Sequence, residues 1–370
     1  MKGEKVIVPG HGGDIYSEGV FKGKDLIDFS SNINPLGVPK SFINNYGEAI
    51  SSITRYPDIK YRELIGHLVK YVGDGNFIKA DSFVLGNGAS EIIDLVISTF
   101  ERLLIVVPSF GEYEADAKKW GCDLEYSYLK ADMSYDYEDI YSKLKGVDGL
   151  ILGNPNNPSG NVIDKVKFNN ILRYCEANNK IIVVDEAFIE FTSSMDLSFI
   201  KQTSNFNCLF IIRALTKFFG MPGIRFGYGI SKNLNLLNKI KEKQNPWNIN
   251  CFAELACKYV LEDKEYIENS KKWIYEEKIF LPSQLEKISF IEIVYPTECN
   301  YVLCKLMNTY GEWLYRKCME QGILIRRASN FKGLDDSYIR FAIKNRELNI
   351  KLIEALTSIE KMTNDIEVNK

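Results

Sequence analysis

The first residue in this chain with chemistry to offer is a lysine at the end of a β-branched apolar run. Lys217 closes Leu209-Phe-Ile-Ile-Arg-Ala-Leu-Thr216-Lys217, and Arg225 follows within Met221-Pro-Gly-Ile-Arg225-Phe-Gly-Tyr-Gly. An ammonium does not stay unpaired inside a sheet, so Lys217 must end in solvent or in a pocket. On that run alone, a lysine leaving the sheet is the simpler reading. The sharper reading is an amine that forms a Schiff base with an aldehyde cofactor, near an arginine that holds the cofactor's phosphate.

Other strand ends carry groups that suit the same ligand. Asp185 ends the apolar run in Val183-Val-Asp185-Glu-Ala-Phe188, where a carboxylate is costly unless paired. It either caps a following helix or faces a protonated ring nitrogen, which then draws electrons from a carbanion on the substrate. Gly86-Asn-Gly88-Ala89-Ser90 is a strand–helix turn whose free N–H groups can cradle an anion. The Gly-Lys-Ser/Thr of a nucleotide P-loop is missing from it. Phe110, in Pro108-Ser-Phe110-Gly-Glu-Tyr113, is a ring platform or a core aromatic. Asn157, in Gly153-Asn-Pro-Asn-Asn157-Pro-Ser-Gly160, lies in turn chemistry but is free to donate to a ring oxygen.

The elements that must position these residues follow a β/α rhythm from about residue 60. Helical spacing runs from Tyr61 to Val72, with His67 on its polar side, and short apolar strands alternate with helices as far as Phe226-Gly-Tyr-Gly-Ile. That alternation predicts an α/β fold with a mainly parallel sheet covered on both faces. Ligands of such sheets bind beyond the carboxyl ends of the strands. Three regions are expected: an amino-terminal arm over residues 1–45 that packs on the site, a large domain over 46–255, and a smaller α+β domain over 256–370. The polar tail beyond Met362 is expected to fray.

Composition narrows the function. The 370 residues are 45% hydrophobic and carry a formal net charge of -3, which supplies a large core and no general attraction for nucleic acid or a membrane surface. Eight scattered cysteines and two histidines offer no clustered metal ligands, so no metal is expected. The Met1-Lys-Gly-Glu-Lys5 start has no apolar stretch, and the expected compartment is the cytoplasm.

Together, Asn157-Pro-Ser-Gly160, Asp185-Glu-Ala, Thr216-Lys217 and Arg225 resemble the aspartate-aminotransferase-like (fold type I) pyridoxal-phosphate enzymes, from about residue 10 to 345. The resemblance implies pyridoxal 5'-phosphate as cofactor. It makes Lys217 the Schiff-base lysine, Asp185 the partner of the pyridine nitrogen, Phe110 the stacking ring and Asn157 the partner of the phenolic oxygen. Gly88, Ala89, Ser90, Thr216 and Arg225 would hold the phosphate. Arg55-Tyr56-Pro-Asp is similar to the segment whose tyrosine reaches the neighbouring subunit's phosphate, which implies a homodimer with shared sites.

Within that superfamily the chain resembles the threonine-phosphate decarboxylases, with the related histidinol-phosphate aminotransferases as the alternative and a non-catalytic cofactor-holding protein as a reading of another class. The decarboxylase features are His11-Gly-Gly13, Ser30-Ser-Asn32-Ile-Asn34-Pro-Leu-Gly37 and Phe188, where the aminotransferases usually carry a tyrosine. Gln244-Asn-Pro-Trp247, Ile325-Arg326 and Tyr338-Ile-Arg340 add to them. The implied reaction is decarboxylation of threonine phosphate, and possible use of serine phosphate, in cobalamin synthesis. Arg326 and Arg340 would bind the substrate's two anionic groups, with His11 and Asn32 as added donors. One position departs from the family: Ala214 stands three residues before the lysine, where a serine or threonine is usual. The missing hydroxyl is expected to cost about 1.5–3 kcal/mol of cofactor retention.

Overall fold

The computed structural model describes residues 10–73 and 78–368. Its centre is a seven-stranded sheet of β2 (Phe83–Gly86), β3 (Arg102–Val107), β4 (Asp123–Tyr128), β5 (Gly149–Gly153), β6 (Ile181–Asp185), β7 (Leu209–Ala214) and β8 (Gly227–Ile230); β1 (Ile27–Asp28) lies outside it. The order across the sheet is β2-β8-β7-β6-β5-β3-β4. The pairs from β4 through to β7 are parallel, and β8 runs antiparallel to both of its neighbours. The α/β fold with a mainly parallel sheet is the one the sequence predicts.

Alternation along the strands explains why these runs are apolar throughout. In β3, Leu103, Ile105 and Val107 join one apolar cluster, while Leu104 and Val106 join another on the opposite face. Both faces are covered, so a strand has no polar side to show. The reversal of β8 has a further consequence. Its beginning lies at the edge where the parallel strands end, so Arg225, just before it, meets the residues that follow β2, β6 and β7.

Beyond residue 255 the chain builds a second, four-stranded sheet. It contains β9 (Ile291–Val294), β10 (Tyr301–Leu306), β12 (Arg326–Arg327) and β13 (Tyr338–Ala342), with β11 (Ile323–Leu324) set apart. The run Ile323-Leu-Ile-Arg reads as one strand in the sequence, but the structure divides it. β11 pairs in parallel with β1 of the arm, whereas β12 pairs with β13. The arm is the physical reason: the Phe29 N–H donates to the Leu324 carbonyl at 2.8 Å, and the Phe29 carbonyl accepts from Ala342 at 2.8 Å.

The long charged run forms the helix Lys264–Leu285, capped by Asp263, whose carboxylate accepts from the Tyr266 N–H at 2.9 Å. The last helix, Arg346–Val368, continues past Met362, where the polar composition predicts fraying. No glycine or proline lies between Met362 and Val368 to stop it.

One close approach fixes the edge of the large sheet. A Cβ on Gly227 would lie 2.4 Å from the Ala89 backbone nitrogen, so β8 can meet the start of helix Ala89–Ile97 only without a side chain there. The contact is with backbone, which cannot step aside. Gly227→Ala should therefore lower the urea midpoint, by an overpacking cost of about 1–3 kcal/mol.

Candidate active site

The carboxyl edge of the large sheet and the second sheet enclose a cavity of about 320 Å³. Of the residues the sequence singles out, Ala89, Ser90, Phe110, Asn157, Asp185, Thr216, Lys217 and Arg225 line it. His11, Asn32, Arg326 and Arg340 line it from the arm and the second sheet. Tyr56 does not; it is 78% exposed on the outer surface, with its ring 4.7 Å from that of Trp247.

Each group reaches the cavity through a strand end. Helix Ala89–Ile97 opens directly after Gly88, whose φ is +89°; Ala89 and Ser90 line the cavity, while the Gly88 N–H donates to the Gly86 carbonyl at 2.7 Å. Arg225 donates from Nη2 to Ser90 Oγ at 3.0 Å, and a Cβ on Gly88 would lie 2.5 Å from that same Nη2. Arg225 takes a left-handed backbone with φ of 57° to make this approach. For a non-glycine residue that conformation costs on the order of 1 kcal/mol, which the surrounding contacts must hold.

Asp185 is buried at the end of β6, and both of its oxygens are engaged. Oδ2 accepts from the Tyr113 hydroxyl at 2.6 Å, and Oδ1 accepts from the Ala187 N–H at 2.9 Å. Burial pushes its carboxyl above the usual carboxylate range, while these two donors oppose the push. Lys217 follows β7, and its loop is pinned by the arm. The Asn34 N–H donates to the Lys217 carbonyl at 3.1 Å, and Asn34 Nδ2 donates to the Phe218 carbonyl at 2.7 Å. Burial first, then the charges of Arg340, Arg225 and Lys344, lower the Lys217 ammonium to about 8. An amine so tuned is partly unprotonated near neutrality and can act as a nucleophile or a base.

Two arginines face the cavity from the second sheet. Arg340 is buried, donates to Asn157 Oδ1 and donates from Nη2 to the Ser30 carbonyl at 2.7 Å. Its Nε has no partner. Arg326 donates to Asn330 Oδ1 at 2.8 Å and lies 5.1 Å from the Phe331 ring centre. Burial weakens the hold of both guanidiniums on their protons, and Arg326 adds to the effect at Arg340. Guanidinium does not deprotonate near neutrality, so this cost instead becomes a demand for an anion. Among the described residues, neither arginine is paired to a carboxylate. Asn32 Oδ1 is also buried without a partner.

His11 is engaged elsewhere. Its Nε2 lies 2.9 Å from Glu112 Oε1, so that nitrogen is already bonded as it faces the cavity. Tyr113 and Asn330, to which the sequence alone gives no role, also line the cavity. Tyr113 lies in the first turn of helix Glu112–Trp120 and packs edge-on against Phe110, which precedes that helix. Asn330 joins Arg326 to the arm, since its Nδ2 donates to the Gly10 carbonyl at 2.8 Å. No local pattern could have shown that link.

The sequence of the aminotransferase class I and II family matches residues 24–356. The chain belongs to that family. Family membership brings pyridoxal 5'-phosphate as cofactor. This family member is similar to a protein of Caldanaerobacter subterraneus subsp. tengcongensis provisionally named threonine-phosphate decarboxylase. The two are 40% identical, over 97% of this chain and 96% of that protein. The threonine-phosphate decarboxylase of Salmonella typhimurium is 31% identical, over 94% of this chain and 96% of its own. A solved structure of the histidinol-phosphate aminotransferase from Clostridium acetobutylicum superposes with a TM-score of 0.88 at 53% identity. It covers 91% of this chain and 99% of that one.

The cavity suits such a cofactor. Its volume is that of a small-ligand site, the helix start and Arg225 offer an anion cradle, and a buried carboxylate and a desolvated amine lie in the same wall. No helix among the described residues is long and apolar enough to cross a membrane.

The Lys217 value sets a pH profile. Only the unprotonated amine attacks an aldehyde, and its fraction grows as pH rises toward about 8. The rate at which the apoprotein captures pyridoxal phosphate should rise about tenfold per pH unit below that point and flatten above it. Stopped-flow absorbance reads this rate, and Lys217→Ala should abolish the capture.

Proposed function

We propose that this protein is a pyridoxal-phosphate-dependent lyase that decarboxylates L-threonine O-3-phosphate to (R)-1-aminopropan-2-yl phosphate, as a step of cobalamin synthesis. The observation that carries the reading is the pair Arg326 and Arg340, two guanidiniums at one cavity with only neutral partners. A phosphorylated amino acid brings both a phosphate and a carboxylate to such a pair. Histidinol phosphate brings only the phosphate. The two decarboxylase relatives, similar over nearly their whole lengths, support the same choice.

On this reading the residues of the cavity divide the work. The amides around Gly88, Ala89 and Ser90, with Thr216 and Arg225, hold the cofactor phosphate. Ala214 lines the cavity with a methyl group where a hydroxyl is usual, so that phosphate has one donor fewer. Phe110 would stack on the ring, Asn157 would donate to its phenolic oxygen, and Asp185 would retain a proton on the ring nitrogen. When bound, pyridoxal phosphate supplies a sink for the electron pair left at the substrate α-carbon.

Arg340, deeper and touching Asn157, orients the carboxylate so that the bond to it breaks. Arg326, less buried and bonded to Asn330, takes the phosphate. Asn32 can present its amide nitrogen there, and His11 can join on leaving Glu112. Carbon dioxide departs without the bonding electrons, and Lys217 Nζ returns a proton to the α-carbon. Phe188 leaves an apolar wall where a hydroxyl would otherwise compete for the ring oxygen.

The second reading, a histidinol-phosphate aminotransferase, is favoured by the 53% identity to the Clostridium acetobutylicum structure. A homodimer is part of our proposal. Tyr46, Ile50, Ile53 and Tyr56 are exposed apolar residues of one segment, and exposed Trp247 lies against Tyr56 with ring centres 4.7 Å apart, a surface that suits a second copy. On this reading the protein acts in the cytoplasm on a small phosphorylated substrate, with no nucleic acid or membrane partner.

Side-by-side product assays separate the readings. Carbon dioxide and aminopropanol phosphate should form from threonine phosphate, with serine phosphate as a slower substrate. Glutamate formed from oxoglutarate with histidinol phosphate as donor, and no carbon dioxide, would replace our reading with the second. In the decarboxylase, Arg340→Met should raise KM for threonine phosphate about 10- to 100-fold, the worth of a charged hydrogen bond. Loss in kcat alone would remove Arg340 from substrate binding.

A further inference from the structure

We infer that Tyr113 is a positioning residue that keeps Asp185 ionised and aimed at the ring nitrogen of the cofactor; this rests on the function proposed above. Tyr113 is 2% exposed, and its hydroxyl donates to Asp185 Oδ2 at 2.6 Å. The bond joins helix Glu112–Trp120 to the end of β6, across residues far apart in sequence. The same side chain packs edge-on against Phe110, with ring centres 5.8 Å apart. One tyrosine therefore fixes both the ring platform and the carboxylate.

The energetics call for such a donor. A carboxylate taken out of water tends to hold a proton, and a protonated Asp185 could not stabilise a positive ring nitrogen. The charged and titratable groups around it give little help. Glu186, next along the chain, disfavours its charge, and Tyr113 and Tyr135 are neutral phenols whose own ionisation burial suppresses. The Ala187 N–H occupies Oδ1. The Tyr113 hydroxyl is thus the one side-chain donor to this carboxylate among the described residues, and hydrogen bonding to the charged form favours that form. Tyr113 touches no reacting atom in this account and acts only through Asp185.

The test compares two ligands on two proteins. Wild-type apoprotein and Tyr113→Phe are titrated with pyridoxal phosphate and with its analogue bearing carbon in place of the ring nitrogen. The wild type should prefer the natural cofactor. The variant should bind pyridoxal phosphate about 10- to 100-fold more weakly, the effect of losing one hydrogen bond to a charge, and bind the analogue within about threefold of wild type. Equal losses for both ligands, or no loss for either, would overturn the inference and leave the proposed function standing. A wild type that binds neither ligand would overturn both.

Should Tyr113→Phe fail to fold, the infrared difference between wild-type and Asp185→Asn apoproteins reads the same point directly. A carboxylate band assigned to Asp185 near neutral pH supports the role of the hydroxyl. A protonated carboxyl band in its place refutes it.

Discussion

The structure is organised around positive charge that the protein does not itself neutralise. Lys217, Arg326 and Arg340 converge on one cavity, where the two arginines bond only neutral partners and, among the described residues, none of the three is paired with a carboxylate. Burying such groups is unfavourable unless something anionic arrives. Everything else in the site either keeps these charges apart and aimed or supplies the opposite polarity where the ligand needs it. Asp185 is the one carboxylate in the cavity wall among the described residues, held there by the Tyr113 hydroxyl and the Ala187 N–H.

The fold makes this possible through a single reversal. Parallel strands deliver Gly88, Phe110, Asn157, Asp185 and Lys217 to one edge, each just beyond a strand end. β8 runs the other way, so its start brings Arg225 to the same edge. The arm then closes the remaining side. It pairs β1 with β11, bonds Asn34 to the loop of Lys217 and offers the Ser30 carbonyl to Arg340. Residues that lie hundreds of positions apart become neighbours because main-chain bonds, rather than side-chain contacts alone, stitch the arm across both sheets.

Much of this was legible in the sequence because buried parallel strands advertise themselves. Runs such as Leu103-Leu-Ile-Val-Val and Ile181-Ile-Val-Val are apolar on both faces, and polar residues at their ends have few reasons to be there. That logic marked Phe110, Asn157, Asp185 and Lys217 at strand ends and gave the mainly parallel sheet, whereas the family resemblance supplied their roles and added His11, Asn32, Arg326 and Arg340. Long-range main-chain pairing was not legible. The division of Ile323-Leu-Ile-Arg into two strands depends on where the arm docks, and nothing within those four residues records it. The engagement of His11 by Glu112 is a similar case, since it joins the arm to the start of a distant helix. Tyr113 was hidden for another reason. Its hydroxyl matters only because Asp185 is buried beside it, and a tyrosine on an amphipathic helix otherwise reads as core.

The proposed chemistry requires Lys217 to be the amine that captures an aldehyde in this cavity. Reduction of the cofactor-loaded protein with borohydride, followed by peptide mass spectrometry, addresses that directly. A reduced pyridoxyl-phosphate adduct is expected on the peptide that carries Lys217 and on no other lysine peptide. An adduct on a different lysine, or no adduct on a protein saturated with pyridoxal phosphate, would contradict it.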